Sequence, residues 1–170
     1  HHAFHGGLLE HIVNVLETAV RVLDLYPKVN PSLLLSGIFL HDLGKVEELS
    51  EGQELTYTDD GQLLGHIILG VSLLDAKIAE AENLSGEPFP PELARRLKHM
   101  IVSHHGGYAF GSPKLPMTLE AVALHYLDNL DAKMHHFEQL MQHDANVDSP
   151  WTQYHANLGR KLYKGKGARG

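Results

Sequence analysis

Residues 35–45 have the sequence LSGIFLHDLGK, which places His41 and Asp42 at the end of an almost wholly apolar helical stretch. Two adjacent ionisable groups are costly to bury unless a partner satisfies them. A divalent metal ion would be such a partner, because imidazole and carboxylate groups are both metal ligands. The alternative is an ordinary pair at a helix end, with the histidine stabilised by the helix dipole. The metal interpretation predicts further ligands elsewhere, since neighbours on one helix cannot complete a coordination sphere.

Further candidate ligands lie in two other apolar helical patterns. His11 follows two leucines in the first pattern, and Asp128 lies within LHYLDNLDAK, residues 124–133. Apolar neighbours are typical of a ligand that points into a helical bundle. Asp131 lies three residues after Asp128, so the residues alone leave open which of the two carboxylates is the ligand.

The remaining sequence is organised by helical periodicity and by prolines and glycines that interrupt it. Together they predict helices over residues 7–26, 31–43, 61–81, 91–105 and 118–142. The polar stretch 46–60 is expected to form a loop or a short strand pair, with Asp59 or Asp60 capping the next helix. The predicted fold class is therefore all-α, a bundle of about five or more helices.

Composition limits the class of protein. The chain has 170 residues, 43% of them apolar, which suits one globular domain. It has no cysteine, which excludes disulfides and thiolate-bound zinc. It has no apolar run long enough for a membrane span, so we expect a soluble, cytoplasmic protein. The 14 histidines are an unusually large number and favour imidazole and carboxylate groups as metal ligands.

Charge is distributed unevenly between the body and the C-terminal end. Residues 151–170 contain five lysines and arginines and no acidic residue, although the whole chain has a net charge of −7. The acidic residues before position 151 would repel a polyanion, so a polyanion would have to bind through metal ions or through the basic tail. We expect the tail to be loosely held or to engage another surface. Its cations, Arg160 among them, are a solvated end or a contact to nucleic acid or to a second subunit of a homo-oligomer.

The set formed by His11, His41, Asp42 and Asp128 resembles the HD superfamily of metal-dependent phosphohydrolases. The stretches HHAFHGGLLEH, YTDDGQLLGH, VSHHG and LHYLDNLDAK are similar to the HD domain of the YhaM-type 3′→5′ exoribonucleases, over residues 1 to about 137. The resemblance implies an HD phosphohydrolase domain over 1–148, followed by a basic tail over 149–170. It also implies an upstream OB-fold domain, which has no counterpart in this sequence, so we expect a truncated N-terminus.

The resemblance also implies site residues. Asp128 is favoured over Asp131, and a second ion would be held by His66, His104 and a bridging Asp42. Two ions about 3.5–4 Å apart would clamp the phosphoryl oxygens of the substrate. The donor set suits Mn, Fe, Co, Ni or Zn, and the family precedent favours Mn.

Roles in substrate binding and catalysis form a mechanistic hypothesis, in which Lys45 lies one helical turn beyond His41. Lys45 would hold a phosphoryl oxygen, and His105 would bind a non-bridging oxygen or protonate the leaving group. The expected catalytic residues are Asp42, Lys45 and His105, and the expected substrate-binding residues are Lys45, His105 and Arg160. The resemblance leaves open whether the pair His1 and His2 lines the substrate side.

The predicted function is therefore hydrolysis of phosphodiester bonds in RNA or nucleotides. The enzymatic alternative is a nucleotide phosphomonoesterase or a cyclic-nucleotide phosphodiesterase. The GYP element of cyclic-di-GMP hydrolases is lacking, because Ala109 follows Gly107 and Tyr108. The alternative from another class is a non-catalytic module that binds a metal and a nucleotide.

Overall fold

The computed structural model describes residues 6–50 and 56–165. The expectation for His1 and His2 lies outside the described residues. The α-helices are α1 Gly7–Val22, α2 Pro31–Leu40, α3 Lys45–Glu48, α4 Asp59–Leu63, α5 Gly65–Ser85, α6 Pro91–Ser103 and α7 Leu119–Gln142. Within the described residues, β-structure is limited to isolated bridges. The all-α prediction is confirmed.

The described part of the chain divides into two compact units, a larger one up to residue 129 and a smaller one from residue 130, and the boundary falls inside α7. The predicted domain division at residue 148 stays a prediction. None of the helices in the described ranges combines the length and the apolar character that a bilayer span requires.

The core of the larger unit is built from one face of each long helix. In α1, Ile12, Val15 and Ala19 recur at helical spacing and are buried. In α2, Leu33, Leu34 and Ile38 are buried, whereas Phe39 on another face is 52% exposed. Helix α2 begins at Pro31, and the Asn30 side chain caps it by accepting a hydrogen bond from the Leu33 amide at 3.1 Å. The core cluster comprises Val15, Ala19, Leu33, Leu34, Ile38, Ile67, Leu74, Leu97, Met100, Ile101, Ala121 and Leu124.

The start of α7 is joined to α2 and α6 by one buried carboxylate. Glu120 accepts hydrogen bonds from the Asn30 amide and from the Arg96 guanidinium, each at 2.9 Å. Its side chain is only 3% exposed, whereas that of Arg96 is 36% exposed. This buried acid is satisfied on both oxygens, so it stabilises the bundle without being available for chemistry.

Two details of the predicted helices are wrong. The helix expected over 61–81 is two helices, α4 and α5, because the backbone at Gly65 has a φ of 75°. The cap is Thr58 rather than Asp59 or Asp60, since the Thr58 hydroxyl accepts from the Gly61 amide at 2.9 Å. A threonine in extended conformation can make this bond, whereas the two aspartates are already helical.

Residues 151–163 of the basic tail are folded, whereas one of the two expectations was a loosely held tail. Antiparallel bridges join Trp151 to Tyr163 and His155 to Arg160, so this segment folds back on itself as a hairpin. Thr152 and Leu162 are buried within it. Helical periodicity does not predict this element because it is short and is not helical.

Candidate metal centre

The structure brings three predicted ligands together from three elements. His11 lies on the buried face of α1, His41 directly follows α2, and Asp128 lies on α7. The His11 Nε2 atom is 3.4 Å from the His41 Nε2 atom and 3.2 Å from the Asp128 Oδ1 atom. These three residues, here called the His11 group, present donor atoms close enough to share one cation.

A second group lies where α5 begins and where α6 ends. His66 is the second residue of α5, and His104 and His105 directly follow α6. The ring centroid of His104 is 4.3 Å from that of His105 and 5.6 Å from that of His66. These residues, here called the His66 group, also form a candidate metal-binding set.

Asp42 lies between the two groups, with one oxygen toward each. Its Oδ2 atom is 3.5 Å from His41 Nε2 and 3.9 Å from His11 Nε2. Its Oδ1 atom is 3.5 Å from His66 Nε2 and 3.6 Å from His104 Nε2. The side chain is 4% exposed, so it is a buried carboxylate with an imidazole pair at each oxygen.

Backbone carbonyls fix which nitrogen of each buried histidine faces the centre. His41 Nδ1 donates to the Ile38 carbonyl at 2.6 Å, and His104 Nδ1 donates to the Ile101 carbonyl at 2.7 Å. A carbonyl oxygen can only accept, so Nδ1 carries the proton in both rings and Nε2 carries the lone pair. This is the orientation in which a histidine binds a metal through Nε2.

The turn that holds His41 and Asp42 lies directly against the start of α5. A Cβ atom on Gly44 would lie 2.0 Å from the His66 carbonyl oxygen and 2.5 Å from the Gly70 amide nitrogen. No side chain fits at this approach, so the glycine allows Asp42 to reach the His66 group.

Burial and charge set the ionisation of the cluster. Burial raises the pKa of Asp42, but the interactions with His41, His104 and Lys45 outweigh it and hold the pKa well below its usual range. Burial likewise raises the pKa of Asp128, and the hydrogen bond from His11 is the largest of the opposing effects that lower it. Burial lowers the pKa of His41 and of His66. Ionised carboxylates and neutral imidazoles are the protonation states that bind a divalent cation.

Three buried atoms at the centre fit a metal ion. Asp42 Oδ1, His66 Nε2 and His104 Nε2 are buried and have no hydrogen-bond partner in the described part of the chain. Buried polar atoms without partners are rare and costly. All three atoms face one another, and all are ligand types for a transition-metal ion. The residues present therefore fit such an ion between Asp42 and the His66 group, beside the set formed by the His11 group.

The predicted substrate-binding residues occupy different places. The Lys45 ammonium group contacts Asp42 Oδ2 and its side chain is 26% exposed. His105 is half-buried, and its Nδ1 donates to the Phe110 carbonyl at 2.9 Å, so Nε2 carries the lone pair. Burial and the adjacent His104 and His66 lower the pKa of His105 to about 4. Arg160 lies in the smaller unit, with its guanidinium 5.4 Å from the Phe137 ring centroid.

Sequence reasoning missed two residues that position the histidines. Glu48 is buried, and its Oε1 accepts from the His66 amide at 3.0 Å and lies 3.3 Å from His66 Nδ1. His125 donates from Nδ1 to the His104 carbonyl at 2.8 Å. Glu48 is one of several acids in a polar stretch without helical periodicity, so the sequence carries no signal that singles it out.

Comparison with known sequences identifies the family of the chain. The sequence profile described as HD domain matches residues 8–133, so the chain belongs to the HD domain family. Within that family it is similar to proteins named 3′-5′ exoribonuclease YhaM. It is 47% identical over 143 residues to the one from Bacillus pumilus (strain SAFR-032), a match that covers 84% of this chain and 44% of that protein.

Two further relatives carry the same name. The protein of Bacillus subtilis (strain 168) is 46% identical over 142 residues, covering 84% of this chain and 43% of its own length. The protein of Listeria innocua serovar 6a is 45% identical over 143 residues, and the match covers 84% of this chain and 44% of that protein. The chain therefore spans less than half the length of these relatives. No solved structure shows significant similarity to it.

Proposed function

We propose that this chain hydrolyses phosphodiester bonds of RNA from the 3′ end, as the catalytic domain of a metal-dependent exoribonuclease. The names of the relatives support the substrate and the direction. The observation that carries the proposal is the buried Asp42 carboxylate, which has an imidazole pair within 4 Å of each oxygen. A buried carboxylate shared in this way is suited to bridge two cations, which is the arrangement used to cleave phosphate esters.

Two divalent ions are proposed, with Mn favoured over Fe, Co, Ni and Zn. The His11 group and Asp42 would hold the first ion, and His66, His104 and Asp42 would hold the second. Bound ions of this kind stabilise negative charge on phosphoryl oxygens and activate water. His105 faces the second position with a lone pair on Nε2, so the ring can accept a proton or bind the same cation.

Lys45 is proposed to bind the scissile phosphate. Its ammonium group contacts Asp42 in the described structure, yet a quarter of its side chain is exposed. A lysine has three donors, so it can contact Asp42 and a phosphoryl oxygen at the same time. Lys45 would therefore neutralise charge that develops on the phosphate during the reaction.

The remaining expectations stay predictions. They concern the upstream OB-fold domain, the homo-oligomer and the cytoplasmic location. The match covers 44% of the Bacillus pumilus relative, so the activity named for that whole protein is a proposal for this chain.

The direct test is digestion of a 5′-labelled single-stranded RNA by metal-replete protein with Mn. We expect a ladder of products shortened from the 3′ end, abolished by a chelator and restored by added Mn. Hydrolysis of nucleoside monophosphates or cyclic nucleotides without shortening of RNA would support the phosphomonoesterase or cyclic phosphodiesterase alternative. Failure to hydrolyse even bis-p-nitrophenyl phosphate would favour a non-catalytic binding module.

A further inference from the structure

The two arms of the hairpin in the basic tail are joined by hydrogen bonds on its inner side. The Thr152 amide donates to the Leu162 carbonyl, and the Leu162 amide donates to the Thr152 hydroxyl, both at 2.9 Å. Asp144 anchors the base of the hairpin by accepting from the Gln153 amide at 2.9 Å and from the Lys164 ammonium group at 2.7 Å. The hairpin is thus held by hydrogen bonds to defined partners.

The outer side of the hairpin carries two aromatic rings that remain about half exposed to solvent. Trp151 and Tyr163 pair across the hairpin with ring centroids 4.8 Å apart and ring planes inclined at 55°. They are 48% and 51% exposed, although Thr152 and Leu162 beside them are buried. The rings are too close to admit a third ring between them, so a ligand would stack on their outward faces.

Cations accompany these rings. Side chains two residues apart on an extended segment share a face, which places Lys161 on the same side as Tyr163. Lys161 is exposed, whereas the Arg160 guanidinium lies over the Phe137 ring and the Lys164 ammonium group pairs with Asp144. Residues 149–170 contain no acidic side chain, in a protein whose net charge is −7. The tail therefore differs in charge from the acidic remainder of the chain.

We infer that the outer side of this hairpin, formed by Trp151, Tyr163 and Lys161, binds single-stranded nucleic acid. Exposed aromatic rings beside cations are the combination that binds single strands, because bases stack on the rings and phosphates contact the cations. An acidic protein would be attracted by the cations alone and would not need the paired rings. RNA is taken as the occupant because the inference rests on the proposed function, and the hairpin would supply affinity for the strand.

The chain contains a single tryptophan, so its emission reports on this surface without a label. The test is titration of the full chain with a phosphorothioate-linked oligoadenylate, which resists hydrolysis. We expect saturable quenching of Trp151 emission by the single strand, and weaker quenching by the same strand annealed to an oligouridylate. RNA binding, measured by anisotropy of a labelled strand, without any change in Trp151 emission would overturn the inference. Equal quenching by polyglutamate would also overturn it in favour of an acidic protein.

Variants give a second readout that does not depend on emission. Tyr163→Ala is expected to weaken binding of the labelled strand about tenfold, since one stacked base is lost. The matched control is Tyr26→Ala, which removes a tyrosine of similar exposure in the larger unit and should leave binding unchanged. Lys161→Gln keeps both rings and should reduce the slope of log affinity against log salt by about 0.7, whereas Lys77→Gln should not. Equal slopes for the two lysine variants would exclude a phosphate contact by Lys161.

The failure of this inference and the failure of the proposed function are distinguishable in the wild-type protein. Quenching of Trp151 without hydrolysis of any phosphodiester would contradict the hydrolase and support the hairpin surface. Hydrolysis of bis-p-nitrophenyl phosphate and of RNA without any change in Trp151 emission would support the hydrolase and overturn the hairpin surface.

Discussion

The His11 group and the His66 group share Asp42 and differ in charge and burial. The His11 group contains a carboxylate, Asp128, and both of its imidazoles are at most 2% exposed. The His66 group is all imidazole, and two of its three rings are partly exposed. A cation is held more strongly where an anionic ligand is added and water is excluded. We therefore expect the His66 group to hold the more readily removed ion, at the side open to substrate.

The change with the largest expected effect removes what the two groups share. Asp42→Asn keeps the shape of the side chain but removes the charge that faces both imidazole pairs. Mutation of a residue that only hydrogen-bonds to a metal ligand typically lowers metal affinity or activity 10–100-fold. Asp42 is proposed to be a direct ligand, so Asp42→Asn should lower the rate of RNA hydrolysis by more than about a hundredfold. Asp75→Asn on the exposed side of α5 is the matched control. Wild-type turnover in Asp42→Asn would show that the two groups do not act through Asp42.

A smaller effect is expected from a change at one group only. Glu48→Gln leaves a neutral oxygen near His66 and weakens the bond that orients its ring. Binding of the second ion should weaken about 10–100-fold, while binding of the first stays unchanged. The measurement is metal titration by calorimetry, and Glu47→Gln, an exposed neighbour, is the control. Equal weakening of both ions would indicate general damage to the fold rather than positioning of His66.

A third change separates stability from metal binding. Glu120→Gln disturbs the contacts to Asn30 and Arg96, and these two residues belong to neither the His11 group nor the His66 group. The free energy of unfolding should fall by about 1–2 kcal/mol. The loss is smaller than for a fully buried ion pair because Arg96 is partly exposed. Urea unfolding measures this, with the exposed Glu17→Gln as the control. Altered metal content in Glu120→Gln would show that the groups depend on the packing of α7.

The smallest effect concerns the tail and its pH dependence. The hydrogen bond from Lys164 is the largest of the effects that lower the pKa of Asp144. The ionised form therefore stabilises the folded tail above the ordinary pKa of about 3.9, and this contribution is lost as the pH falls through the lower folded value. Trp151 emission should change below about pH 4 in the wild type. Asp144→Asn should lack this transition, and its presence there would assign it to another group.

The sequence predicted the His11 group better than its surroundings. His11, His41 and Asp42 could be found because a polar residue stands out in an apolar helical pattern, whereas the choice of Asp128 over Asp131 needed the family resemblance. The second group needed the family resemblance, since His66, His104 and His105 lie at helix ends, where histidines have several structural uses.

Other features carried no one-dimensional signal. Glu48 can be recognised only by its contact with His66, which lies far from it in the sequence. The break between α4 and α5 depends on the positive φ of Gly65, and the helical periodicity on both sides of Gly65 hides it. The tail hairpin depends on a hydrogen bond that the Leu162 amide donates to the Thr152 hydroxyl, where a regular pair of strands would have a carbonyl as acceptor. Each of these is fixed by tertiary contact rather than by local pattern.

The central claim is that Asp42 joins two metal positions, and metal content per chain tests it most directly. Elemental analysis would compare wild-type protein purified without chelators with His66→Ala and His104→Ala. The account predicts about two equivalents in the wild type and about one in each variant. One equivalent in all three proteins would contradict it, and would confine the metal to His11, His41, Asp42 and Asp128.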